Sequence, residues 1–165
     1  MGRMYTLMGN TMTVGTGYVL ACLKPAAAGN AGSLIAIHRV EVSQGSSTTS
    51  AMVYLALSNR STAGTLTVTS ATPANMVAGG PASGITGNTS GIAVPSCGVN
   101  SSNDTGGTYT DYWNAAANAL NGWLWVPTPP ELIIVPPAGI FCVRFISGPA
   151  TTTGWNVTVD FEELY

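Results

Sequence analysis

The stretch Trp155-Asn156-Val157-Thr158-Val159-Asp160-Phe161 alternates large apolar and polar side chains without a break. Successive residues of a β-strand point to opposite faces, so Trp155, Val157, Val159 and Phe161 line one face of a half-buried strand. The same period of two runs through Ala51–Ser58, with Val53, Leu55 and Leu57 on one face and Met52, Tyr54 and Ala56 on the other. It recurs in Ile140–Ile146, where Phe141, Val143 and Phe145 alternate with Cys142 and Arg144. Leu34–Val42 carries Ile35 and Ile37 on one parity and Val40 and Val42 on the other. That slip around His38-Arg39 predicts a β-bulge. Tyr18–Leu23, Thr65–Thr69, Trp123–Val126 and Glu131–Val135 add shorter blocks separated by Gly, Pro, Asn and Ser. About eight or nine strands with turn signals between them predict an all-β protein, an antiparallel β-sandwich or jelly roll.

Two stretches depart from this pattern. Asp111–Leu120 places Trp113, Ala116, Ala117 and Leu120 at helical spacing and predicts the one short helix. From Ala71 to about Asp111 the chain is mostly Gly, Ala, Ser, Thr, Asn and Pro, relieved by Met76, Val77, Ile85, Ile92, Val94 and Val99. This Gly/Ala/Ser-rich insertion is expected to be a long, partly anchored loop. The expected organisation is an N-terminal arm over residues 1–17 and a single sandwich domain over 18–165.

Composition narrows the functional classes. Charged residues are only 7% of the 165-residue chain, against roughly 25% in an average soluble domain. Hydrophobic residues make up 45% of it and the mean hydropathy is +0.28, too apolar for a disordered chain. The formal net charge is −2, and Arg3, Lys24, Arg39, Arg60 and Arg144 are scattered. Nucleic-acid binding needs clustered cations to displace counterions, so no nucleic-acid partner is expected. No apolar run approaches the ~20 residues of a membrane-spanning helix, and no secretory leader is legible. Cys22 and Cys142 lie in apolar runs and read as small core residues, whereas Cys97 reads as a free thiol or a disulfide partner. The sequons at Asn59, Asn88, Asn100, Asn103 and Asn156 matter only in a secretory pathway.

Few residues could carry chemistry. Asp104-Thr105-Gly106 matches the aspartic-protease tripeptide, but its neighbours Ser101-Ser102-Asn103 and Gly107 are those of a turn. His38 is the single histidine, sits mid-strand beside Arg39, and has no nucleophile elbow to serve. Glu41, Glu131, Asp160, Glu162 and Glu163 are too dispersed for a metal cluster. No catalytic residue, metal or cofactor is therefore assigned. The pairs Tyr112/Trp113 and Trp123/Trp125 could stack a ligand, but a core or subunit interface is the commoner use of alternate aromatic positions.

Ile35-Ala36-Ile37-His38-Arg39-Val40-Glu41-Val42-Ser43-Gln44, followed by Ser46-Ser47-Thr48-Thr49-Ser50-Ala51, resembles the opening of small β-sandwich proteins encoded among tailed-phage head genes. Trp113, Trp123–Val126 with Pro127 and Pro130-Glu131, the run Ile133–Phe145 and the closing Val157–Glu162 extend the resemblance over about two thirds of the chain. It implies a capsid decoration (cement) protein, a jelly roll that forms a homotrimer and clamps neighbouring major capsid protein subunits. It also implies a place on the capsid exterior of the virion, with assembly in the host cytoplasm. Neutral contacts suit that role because they resist ionic screening. Two partner surfaces are expected. One is the arm, carrying Met4, Tyr5, Met8 and Met12, added to a neighbouring subunit's sheet edge. The other is a trimer contact at Trp113, Trp123 and Trp125. The alternative reading is a glycan- or receptor-binding head-fibre or tail-tip module using the same aromatics. A hydrolase built on His38 or Asp104 ranks last.

Overall fold

The computed structural model describes residues 2–15, 18–26, 29–30, 33–46, 50–87, 96–137 and 139–164. Its strands, in chain order, are β1 (Arg3–Met12), β2 (Val19–Lys24), β3 (Leu34–Gln44), β4 (Met52–Arg60), β5 (Thr65–Ser70), β6 (Ala74–Asn75) and β7 (Thr86–Gly87). They continue with β8 (Ser96–Thr105), β9 (Tyr109–Asn118), β10 (Trp123–Trp125), β11 (Ile133–Val135), β12 (Phe141–Phe145) and β13 (Trp155–Leu164). One sheet runs β10-β3-β13-β1-β6, with β11 also on β3. The other runs β5-β8-β2-β12-β4-β9, with β7 on β8.

The two sheets pack face to face as an all-β sandwich. β13 pairs most extensively with β3, and β1 pairs with β13, β2 with β12, β3 with β10 and β11, and β4 with β9. First strands thus pair with last, as in one long antiparallel hairpin rolled into two sheets. This is a jelly-roll order, which the sequence pattern alone does not specify.

The period-two faces fill the space between the sheets. Trp155, Val157, Val159 and Phe161 of β13 are buried with Tyr5 and Leu7 of β1 and with Val53, Leu55 and Leu57 of β4. Phe145 meets Trp155 edge-on across the sandwich, ring centroids 4.7 Å apart. The bulge predicted near His38 is present: Asp160 pairs Arg39 and Phe161 pairs Ile37, which leaves His38 as the extra residue. One added residue moves Val40 and Val42 to the core face that Ile35 and Ile37 already occupy.

Three expectations are corrected. Asp111–Leu120 contains no helix; Tyr109–Asn118 is β9, paired along β4. Its helical spacing is overridden by that pairing, in which Trp113 stands opposite Leu57 and Ala117 opposite Val53. The N-terminal arm is a strand of this chain's own sheet, with Arg3–Gly9 in register with Glu163–Val157, because Tyr5 and Leu7 complete the core beside Phe161 and Val159. The loop over 71–111 contains the ten-residue β8 and the start of β9. β8 was hidden because Ser96–Thr105 has little apolar alternation. Ile92, Val94 and Asn88 lie outside the described residues.

The antiparallel β5–β8 pair also builds a second, smaller core on the outer face of its sheet. Leu66 and Val68 of β5 pack on Val19 and Cys22 of β2 and on Ile140 and Cys142. β8 separates β5 from β2 in the sheet order, so the sheet must curl for these side chains to meet. Bulges on either side of Val68 supply the bend. Gly98 supplies the space: a Cβ there would lie 2.3 Å from Val68 Cγ2.

Candidate contact surface

The scarce charges are spent inside the chain. Each of the seven acidic side chains has an intrachain partner. Glu41 and Asp160 both meet Arg39, Asp104 meets Arg60, and Asp111 meets Arg144. Glu162 Oε2 lies 3.0 Å from His38 Nε2. Glu163, fully buried, accepts hydrogen bonds from Ser83 Oγ at 2.5 Å and Gly84 N at 2.9 Å. Glu131 Oε2 accepts from Thr128 Oγ1 at 2.8 Å and Thr128 N at 3.1 Å. Those two bonds hold the Glu131 carboxyl below its ordinary pKa.

These partners are unevenly placed. On the outer face of the β3-β13-β1 sheet, Arg39, Glu41 and Asp160 form one cluster and His38 with Glu162 another. The outer face of the other sheet is organised in three zones. At one end the β5–β8 pair covers Cys22, Cys142 and the buried Arg60. Next comes a polar strip in which Arg144 Nη2 donates to Asp111 Oδ1 at 2.8 Å and Arg144 Nε to Ser58 Oγ at 3.0 Å. Arg144 also sits 4.4 Å over the Tyr109 ring.

The third zone is apolar and uncovered. Tyr54 and Met52 of β4 are 52% and 58% exposed. Ala116 of β9 stands opposite Tyr54, and Ile146 N donates to Tyr54 O, so these neighbours share its end of the sheet. Ile146 and Tyr18 are exposed beside them. Solvent-facing strand positions ordinarily carry polar side chains, so an apolar group here is a candidate contact surface.

This zone ends at β9, the sheet edge. β9 is ten residues long and is paired on the β4 side only. Edge strands are commonly blunted by shortness, Lys or Pro. β10, β11 and β6 are short, but β9 carries no Lys, Arg or Pro. Its one device is a bulge: Leu57 pairs Trp113 and Ser58 pairs Asp111, leaving Tyr112 as the extra residue.

Around that edge the tryptophans meet. Trp113 of β9 and Trp123 of β10 pack tilted against each other across the open side of the sandwich, ring centroids 5.4 Å apart and 33° between planes. Trp113 is 42% exposed and Tyr112 is 46% exposed. Beside the two rings lies a cleft of about 410 Å³ lined by Tyr112, Trp113, Trp125, Val126, Glu131 and Ile133. Glu131 reaches it from the 3-10 turn Pro129–Glu131, between β10 and β11.

The residues expected to bind partners therefore divide. Trp113, Trp123 and Trp125 are brought together, although Trp125 is buried and closes the cleft from the core side. Tyr5 and Met12 are core residues, and the Tyr5 hydroxyl donates to Ala82 O at 3.2 Å. Met8 is exposed on the outer face of the charged sheet, and Met4 is half-buried there beside a cleft at Gly2, Arg3 and Val77. The sequence reading missed the Met52–Tyr54–Ile146 zone and Glu131. A signal existed for each. Ala51–Ser58 is apolar on both faces, which calls for cover on both sides. Thr128-x-x-Glu131 has the capping-box spacing that pins the carboxylate.

The remaining candidates have structural partners. Asp104 is held by Arg60 and by the Tyr109 hydroxyl, and Gly106 makes the following turn at φ +76°. His38 is the bulge residue beside Glu162. Cys97 is buried and unbridged, its Sγ 3.0 Å from Ala71 O. Comparison with protein-family models, with curated proteins and with solved structures finds no match to this chain.

Proposed function

We propose that this chain is a virion structural protein of the capsid decoration type, which assembles as a homotrimer and binds the major capsid protein on the outside of a phage head. The observation that carries this reading is the division of the surface. The carboxylates are committed to intrachain partners, while Tyr18, Ile146, Met52 and Tyr54 stay exposed along β2, β12 and β4, on the sheet that ends at the edge strand β9. A surface of that kind gains from burial of apolar area, at about 25 cal/mol per Å², and from main-chain pairing along an edge. Both terms are nearly independent of salt, which suits a clamp repeated over many identical junctions.

Residues 3–12 are used as β1 inside the sandwich, so no arm is left to reach a neighbouring subunit. The contact surface moves to the β4–β9 side. Two measurements test it. Light scattering of the free protein is expected to give about three times 16.8 kDa. Co-sedimentation with expanded, empty capsids of the source phage is expected to saturate and to persist in high salt. Tyr54→Lys, which places a cation in the apolar zone without touching the core, is expected to reduce the assembled mass or the capsid occupancy. Failure to bind capsids would overturn the reading and return the aromatic cleft to the glycan- or receptor-binding alternative.

A further inference from the structure

We propose that the Tyr112–Trp113–Glu131 cleft is a socket for the guanidinium of an arginine side chain presented by the protein partner. The inference rests on the assembly reading for the identity of that partner, but the chemistry of the socket stands on its own geometry.

Among the described residues that line the cleft, Glu131 alone carries a charge, and its neighbours are Tyr112, Trp113, Trp125, Val126 and Ile133. A single carboxylate among π-faces excludes anions and favours a weakly hydrated cation. A guanidinium fits better than an ammonium: it is planar, stacks on Trp and Tyr, and donates N–H groups to a carboxylate in the same plane. The acceptor is fixed in advance. Glu131 Oε2 is tied to Thr128 N and Oγ1, so the side chain is pinned in the wall and Oε1 remains to accept from a ligand. The opposite wall is pinned by the packing of Trp113 on Trp123.

In a second copy of this chain each arginine would have to give up a partner that it already has. Arg39, Arg60 and Arg144 are ion-paired internally, and Arg3 has a partner of its own. The socket therefore points to a different protein, and the self-association of this chain is left to the apolar zone and β9.

The test uses the indole N–H resonances of the intact protein titrated with N-acetyl-arginine amide. Trp113 and Trp125 signals are expected to shift saturably, with half-saturation of about 1–10 mM. Trp155, whose Nε1 donates to Thr151 O in the core, is the internal control and should not move. Glu131→Gln preserves an oxygen for Thr128 and is expected to weaken the response at least fivefold; the same variant should lower capsid affinity by a similar factor. The lysine analogue should bind more weakly. An unchanged response in Glu131→Gln, a glucose response exceeding that of arginine, or no saturable shift would overturn the socket. If the probe binds but wild-type protein ignores capsids, the socket stands and the capsid reading falls. If capsids bind wild type and Glu131→Gln equally, the reverse holds.

Discussion

Arg60 lies against Asp104 with none of its side chain exposed, its Nη2 2.5 Å and its Nε 3.0 Å from the same carboxylate oxygen. The other side of the guanidinium donates to Ser61 O at 2.8 Å, Ala63 O at 3.2 Å and Thr65 O at 3.3 Å. One buried cation thus ties the end of β4 to the turn that begins the β5–β8 pair. Removing one partner of such a pair leaves the other charge buried alone, which costs about 3–5 kcal/mol. Arg60→Met is expected to lower the urea midpoint strongly. It should also raise amide exchange first in β5 and β8, because the β5–β8 pair loses its anchor before the main core opens. A uniform rise across both sheets would count against this local role.

The Asp111–Arg144 pair gives an acid-side dependence whose sign follows from its environment. Partial burial raises the Asp111 pKa, but the hydrogen bonds from Ser58 and Arg144 and the Arg144 charge outweigh it, and the net shift is downward. A depressed folded-state pKa means that the carboxylate's contribution is present above the unfolded value, about 3.9. The contribution fades as pH falls through the folded value. Asp111→Asn is expected to be less stable than wild type at neutral pH, with the gap narrowing below about pH 4. Thermal melts at pH 7 and pH 3 read the difference, and a gap that widens on acidification would refute it.

Burial pushes the thiols of Cys22 and Cys97 up to about 12 and raises Cys142 as well. The thiolate is the reactive form, so none of the three cysteines should react with a disulfide reagent at pH 8 while the fold is intact. All three are expected to titrate together in denaturant. Fast labelling of Cys97 alone in native conditions would place it in an open segment rather than beneath Ala71.

Trp113 and Trp123 join the free edges of the two sheets, so their contact should act as a clasp on the open side of the sandwich. A double-mutant cycle with Trp113→Ala and Trp123→Ala is expected to give a coupling of about 0.5–1.5 kcal/mol. Additive effects would mean that each ring packs on its own sheet only.

The sequence was most legible where one face of a strand is buried by the chain itself. β13, β4 and β12 were read from their alternation, and the His38 bulge from a change of parity, because the core imposes that period directly. β8 and β9 were not, for different reasons. β8 carries Ser, Gly and Asn where other strands carry Val, and at Gly98 a Cβ would run into Val68 and Thr69 of β5. β9 contributes few inward side chains from an exposed edge, so its spacing matched a helix by chance.

The candidate surface was legible only in part. Composition announced that a chain with 7% charged residues must depend on neutral surfaces. The sequence also marked the tryptophans, but it could not separate Trp125, which is buried, from Trp113, which is half open. That distinction depends on whether another element lies across the strand, and no local pattern records it.

By itself, then, the sequence determined the class of the fold, the faces of its regular strands and the shortage of charge, all of which follow from local period and composition. The tertiary structure decided that residues 3–12 serve the chain's own sheet, that the β5–β8 pair covers one end of the outer face, and that Trp113, Trp123 and Glu131 surround one cleft. Those outcomes rest on contacts between segments far apart in the chain, whose pairing is set by the single arrangement that buries every apolar face of the core at once.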